Sequence, residues 1–167
     1  MAQHGPWKDF LIEGWRAAQA GNQRAAWYRY LFASSLGYRL GSYNAGAILA
    51  QSSGRALVFD PPAVKRWLFA VSSQRGDRSA HRQLALQLLR IAASCFPTSG
   101  ILSIASPHED LIGCPSDRDH FLQEVLVLLE SAGPKDTESL NLLGKMHEHG
   151  IGTNASISVA IQVLLFI

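Results

Sequence analysis

The chain of 167 residues reads as all-α, an α-solenoid of αα-hairpin repeats, on three observations. One pattern occurs twice: Ala26, Tyr30 and Ala33 recur as Ala63, Trp67 and Ala70, an offset of 63 − 26 = 37 residues. That period falls among helical-hairpin arrays, whose units cannot bury an apolar face alone. Each copy is followed by a glycine, Gly37 and then Gly76, the residue that accepts the left-handed backbone of a helix stop. Small residues (Gly41, Ala45, Gly46) cluster inside an otherwise helical stretch. They cost up to ~1 kcal/mol each in helix propensity, which points to close approach of a neighbouring helix.

The elements follow in order. Residues 7–20 form a first helix, with Phe10, Leu11, Trp15 and Ala18 at helical spacing and Gly21-Asn22 as its stop. Residues 23–36 form a second, with Ala26, Tyr30, Leu31, Phe32 and Ala33 in a broad apolar stripe that Gly37 ends. A third spans 38–51 and is broken by Ser52-Ser53-Gly54. Asp60 is placed to cap the fourth, Pro61 to occupy its first position, and 63–74 to carry Trp67 and Ala70 inward before Arg75-Gly76-Asp77 closes it. Residues 79–94 give a fifth helix, rich in Leu84, Leu86, Leu88, Leu89 and Ile91. Between 97 and 116, Pro97, Pro107 and Pro115 mix with Gly100, Gly113 and serines, which is loop chemistry; this stretch is expected to be disordered rather than a binding loop. Helices resume at 117–131, stopped by Gly133-Pro134, then at 136–149, and after Gly150-Ile151-Gly152 from about 156. The expected organisation is repeats over 1–96, an irregular insertion over 97–116 and further repeats over 117–167. Residues 163–167 end on bare apolar side chains, where a solenoid carries a polar capping repeat, so the chain is expected to be a truncated fragment or an aberrant gene product.

Composition narrows the function. The chain is 47% apolar and 17% charged, below the ~25% charged residues usual in soluble domains, so many of its surfaces are expected to face other protein. A net charge of +2 with scattered Arg and Lys gives no footprint for nucleic acid. Residues 1–6 lead into Trp7 and Lys8 without the apolar core of a secretory leader. No run reaches the ~20 apolar residues of a membrane span; the most apolar, 157–167, holds Ser158 and Gln162. Cys95 and Cys114 are the two thiols. They are expected to be unpaired, with Cys95 buried, and a single disulfide is the alternative in an oxidising compartment.

Residues that invite chemistry mostly decline it. His147-Glu148-His149 sets two imidazoles two residues apart, about 200° apart on a helix, whereas two ligands on one helix face need four-residue spacing. No metal is expected, nor any cofactor. Gly150-Ile151-Gly152 lacks the third glycine and preceding strand of a dinucleotide loop and reads as a turn. No nucleophile elbow or Cys/His signature appears, so no catalytic residue is assigned and no enzyme is expected. Trp27 and Tyr28 flank the apolar stripe and are expected in core or rim packing, with surface anchoring as the alternative. Asn154-Ala155-Ser156 is an N-glycosylation acceptor sequence.

Together these residues resemble the SEL-one-like repeat, an αα-hairpin related to tetratricopeptide units. The family's first helix carries a small residue and then Tyr-Asn-Leu-Gly; this chain has Tyr43-Asn44-Ala45-Gly46 and later Leu142-Leu143-Gly144. The family's Gly-x-Gly turn is matched at Gly150 and Gly152, with Gly54 alone in the earlier copy. Its second helix carries Ala, an aromatic and Ala, matched at Ala26/Tyr30/Ala33 and Ala63/Trp67/Ala70, while Ala160 stands where the last such helix has its first Ala. The resemblance breaks down across 97–116. Gly37-Tyr38 through Gln51, and Gly144 through Gly152, are similar to the branch of the family that serves as luminal adaptors of the HRD ubiquitin ligase. The resemblance implies a right-handed α-solenoid acting as an adaptor in ER-associated degradation. Its implied partners are a membrane ubiquitin ligase and misfolded glycoproteins or their lectins, in the endoplasmic reticulum lumen or its membrane complex. The alternative is a generic cytosolic SEL-one-like scaffold in signalling or complex assembly. Cysteine-rich hydrolases of this family carry a disulfide in every repeat, which two cysteines do not match.

Overall fold

Most of the described helices start where a short polar side chain takes over a free backbone N–H, whereas the helix that begins at Arg39 follows Tyr38 without such a cap. The Oδ1 atoms of Asn22, Asp60, Asp117 and Asp136 accept from Ala25, Ala63, His120 and Ser139 at 3.0–3.2 Å. Thr98 and Ser156 do the same for Ile101 and Val159 at 3.3 Å. The computed structural model describes residues 7–51, 57–105 and 114–165. Among these the protein is all-α, nine helices packed as sequential hairpin-like pairs without a strand. They are α1 Trp7–Gln19, α2 Gln23–Ser35, α3 Arg39–Ala50, α4 Pro61–Gln74, α5 Arg78–Cys95, α6 Ser99–Ile104, α7 Arg118–Ala132, α8 Thr137–His149 and α9 Ile157–Leu164. Residues 1–6, the Ser52-Ser53-Gly54 break, Pro107 and Gly113 of the insertion, and Phe166-Ile167 lie outside the described residues.

The chain divides into two compact units, Met1–Ala80 and His81–Ile167. In the first, α2 packs between α1 and α3, and α3 also packs on α4. Its core joins Ala26, Trp27 and Tyr30 of α2 to Ala45, Ile48 and Leu49 of α3 and Leu68 of α4. Glycines admit the large side chains. A Cβ on Gly14 of α1 would stand 2.7 Å from the Tyr30 ring, and one on Gly46 of α3 would stand 3.0 Å from the Phe69 ring. At Gly41 the neighbour is backbone, since a Cβ there would come within 2.7 Å of Tyr30 O on α2. The small residues of α3 therefore sit at close approaches, as their placement in the sequence suggests.

A polar seam closes the same unit. The buried hydroxyls of Ser34 and Ser42 lie 2.6 Å apart. Arg75 Nη1 donates to Ser34 O at 2.9 Å and to Ser42 Oγ at 3.1 Å. Ser72 Oγ donates to Arg39 O at 2.9 Å. The seam ties the C-terminal ends of α2 and α4 to the start of α3.

The fourth helix corrects the 37-residue register. Trp67, expected inward, is 59% exposed, while Phe69 is 2% exposed and Leu68 fully buried; Ala63 and Ala70 are half-buried. The structural equivalent of Tyr30 is Phe69, 69 − 30 = 39 residues on, and the same offset joins Gly37 to Gly76 and the first residues of α3 and α5. Gly37 and Gly76 have φ of +93° and +79°, so both follow their helices in the left-handed backbone that glycine tolerates. Two residues of error on a helix rotate a side chain by about 200°, enough to send Trp67 out.

In the second unit α8 packs against α6, α7 and α9. Gly144 of α8 receives Leu164 of α9, whose Cγ would lie 2.9 Å from an added Cβ. Gly14, Gly46 and Gly144 each stand seven residues after the first residue of their helices, Trp7, Arg39 and Thr137. Gly152 (φ +70°) abuts the backbone of Leu122 on α7. Arg82 of α5 bridges Asp136 at 3.0 Å and Glu138 at 2.8 Å, at the start of α8. Two expectations fail here. The 97–116 stretch contains α6, anchored by the fully buried Ile101. Cys95 and Cys114 are bonded to each other, Cα atoms 5.5 Å apart, and Cys95 is only partly buried. The thiol expectation rested on two cysteines being too few for a disulfide framework, yet one pair suffices to join residues 19 apart in sequence.

Candidate interaction surface

Helix α2 is apolar on two sides. Ala26, Trp27, Tyr30 and Ala33 face the core. Tyr28, Phe32 and Leu36, four residues apart, are 54%, 49% and 50% exposed, so they form one outward stripe running from the helix to its cap. Phe32, expected within the inward stripe, belongs to this outer one. Phe10 of α1 supports it, its ring centroid 4.6 Å from that of Phe32. Beside these rings Arg29 pairs with Glu13 at 2.9 Å, both well exposed. The Trp27 and Tyr28 rings meet edge-on at 5.4 Å; the first is core and the second surface. Arg24, one turn before Tyr28, is exposed and lies in no ion pair among the described residues. The result is a row of three half-exposed apolar side chains, preceded by a free cation, on a helix held on both sides by its neighbours.

No protein-family model and no curated protein matches this chain.

Charge is divided between the units. Met1–Ala80 carries ten Lys and Arg against four Asp and Glu, a formal +6, and His81–Ile167 carries five against nine, a formal −4. The small net charge of the whole chain hides this split. The stripe thus belongs to the basic unit.

The remaining motif residues occupy structural positions. Tyr43 packs on Phe69 with ring centroids 5.7 Å apart, and Asn44 beside it is half-buried. Leu143 and Ala160 are buried, and Gly150 (φ +65°) ends α8 in left-handed geometry. His147 O accepts from Ser156 N at 2.8 Å. His149 Nε2 lies 3.3 Å from Ser103 Oγ, a pair that sequence order gives no sign of. That serine donates its hydroxyl proton to Gly100 O at 2.6 Å. Both side chains are exposed. The contact fastens α6 to the end of α8. Among the described residues no three His, Cys, Asp or Glu are grouped to hold a metal ion, and no helix is long and apolar enough to cross a membrane.

Proposed function

We propose that the chain is a protein–protein interaction scaffold, an adaptor in ER-associated degradation built as a right-handed α-solenoid of SEL-one-like repeats. The observation that carries the binding role is the Tyr28–Phe32–Leu36 stripe, half-exposed on a helix buttressed by α1 and α3. Aromatic side chains on a rigid support are the common anchors of interfaces. The partner segment is apolar with acidic flanks, matching the stripe and the +6 unit that bears it. The repeat reading is supported by the three glycines that recur at one helix position, each receiving a large side chain from a later helix. The Cys95–Cys114 bridge favours the lumen over the cytosol, since disulfides persist in oxidising compartments and are rare outside them.

The test is co-purification from cells with the membrane ubiquitin ligase complex. The native chain is expected to recover the ligase, and Phe32→Asp to lose it while keeping the helical circular dichroism and melting temperature of the parent. A chain that fractionates with soluble cytosol, has free thiols and recovers no ligase would sink the adaptor reading in favour of a cytosolic scaffold.

A further inference from the structure

The segment between α8 and α9 contains a serine with two incompatible duties. Asn154 is exposed, and with Ala155 and Ser156 it forms an acceptor sequence defined in part by the hydroxyl of its third residue. In the folded chain that hydroxyl caps a helix and the backbone that carries it is tied down. Ser156 Oγ accepts from Val159 N at 3.3 Å as the N-cap of α9. Its own N–H donates to His147 O at 2.8 Å, which pins the segment back onto α8. A glycosyltransferase has to grip the Asn amide and the Ser hydroxyl together on a stretch of chain it can extend. Here the first is presented, but the backbone bond to α8 and the first turn of α9 keep the stretch from extending. A separate observation favours a compartment where such transfer occurs, since the Cys95–Cys114 bridge persists best under oxidising conditions.

We infer that Asn154 is N-glycosylated, and that it is an acceptor only until α9 docks on α8. The inference rests on the luminal reading above. Helix α9 has eight residues, too few to persist alone in water, so its first turn forms only when Leu164 seats on Gly144 and Ala160 is buried. Until then Ser156 is free to be read. Once the hairpin closes, its hydroxyl belongs to the helix. The glycan therefore records a moment when the α8–α9 hairpin was open.

Substitutions at one position separate the two duties. In secretory-pathway cells the native chain is expected to show one glycosidase-sensitive mass step. Ser156→Thr keeps cap and acceptor, and should keep both the step and the melting temperature. Ser156→Asp keeps a good cap but is no acceptor, so the step should vanish with the melting temperature unchanged. A second arm offers purified, unglycosylated chain to a microsomal oligosaccharyltransferase with lipid-linked oligosaccharide. The folded chain is expected to be modified slowly, and Gly144→Leu, which crowds Leu164 off its seat, about tenfold faster or more. Equal rates for the two would overturn the ordering. A chain with its cysteines oxidised but no glycosidase-sensitive step would overturn the assignment of Asn154. Free thiols with no glycan would instead overturn the luminal reading beneath it.

Discussion

The α1–α2 and α3–α4 hairpins solve one packing problem with different residues. In the first, Tyr30 lies on Gly14, and Ala33 and Ser34 are buried beyond it; in the second, Phe69 lies on Gly46, and Ser72 and Ser73 take the same places. The sequence motif that relates the two helices by eye, Ala-x3-aromatic-x2-Ala, is inward in α2, whereas in α4 its aromatic is exposed and its alanines are half-buried. What the hairpins share is a geometry counted back from the glycine that follows the second helix. Ring, small residue and glycine stop keep fixed spacings because helix pitch and the left-handed turn set them. The α3–α4 connection is free to differ in length from the α1–α2 turn, so counting forward across it loses the register.

The comparison can be broken first at the two candidate rings of α4. Phe69→Ala should cost ~3–5 kcal/mol, as for a buried aromatic, and Trp67→Ala about 1 kcal/mol or less, as for an exposed one. Urea midpoints for both variants decide it, and the reverse order would restore the 37-residue register. Next come the glycine seats: Gly14→Leu and Gly46→Leu should each lose ~1–3 kcal/mol or more, because the added side chain meets a ring that cannot move away. Losses in one hairpin and not the other would deny their equivalence. A smaller effect tests the polar seam. Ser72→Ala gives α4 the residue α2 has at Ala33, and should still cost about 0.5–1.5 kcal/mol because it removes the hydrogen bond from Ser72 Oγ to Arg39 O. No change in melting temperature would show the seam to be incidental.

The smallest effect concerns the single hydroxyl by which Tyr30 differs from Phe69. Burial raises the Tyr30 pKa above its ordinary 10.0, so the unfolded chain releases that proton at lower pH than the folded one. The stabilisation is whole below pH 10 and is lost as pH rises through the raised value. Tyr30→Phe should leave stability near neutrality within about 1 kcal/mol of the parent and remove that part of the alkaline loss. Denaturation midpoints measured from pH 8 to 11 would show whether the two curves diverge.

Much of this was legible in the residues. Asp60-Pro61 started α4, and Gly37, Gly133 and Gly150 stopped helices where their left-handed backbone requires. The register clue was also present. Gly37 follows Ala33 by four residues, whereas Gly76 follows Ala70 by six, so the two sets could not both be measured from the same stop. The outer stripe was harder to see, because α2 is apolar nearly all round and composition cannot tell which side a neighbour covers. Helix α6 was hidden because six residues hold too little periodicity to stand out among Pro97, Gly100 and several serines; the burial of Ile101 and the contact with α8 show what holds it. The Ser103–His149 contact joins residues 46 apart, and no local pattern encodes that.

The Cys95–Cys114 bridge has a mechanical consequence. Its cysteines are 19 residues apart in sequence but 5.5 Å apart at Cα. Nineteen extended residues at ~3.4 Å each would span about 65 Å, so the bridge hides roughly 60 Å of contour length from any pull on the two ends. Helix α6 lies inside that hidden length and bears no load while the bridge is intact. A motor drawing this chain through a narrow pore would have to pass a closed loop, two strands side by side, or wait for a reductant to turn it back into a single thread.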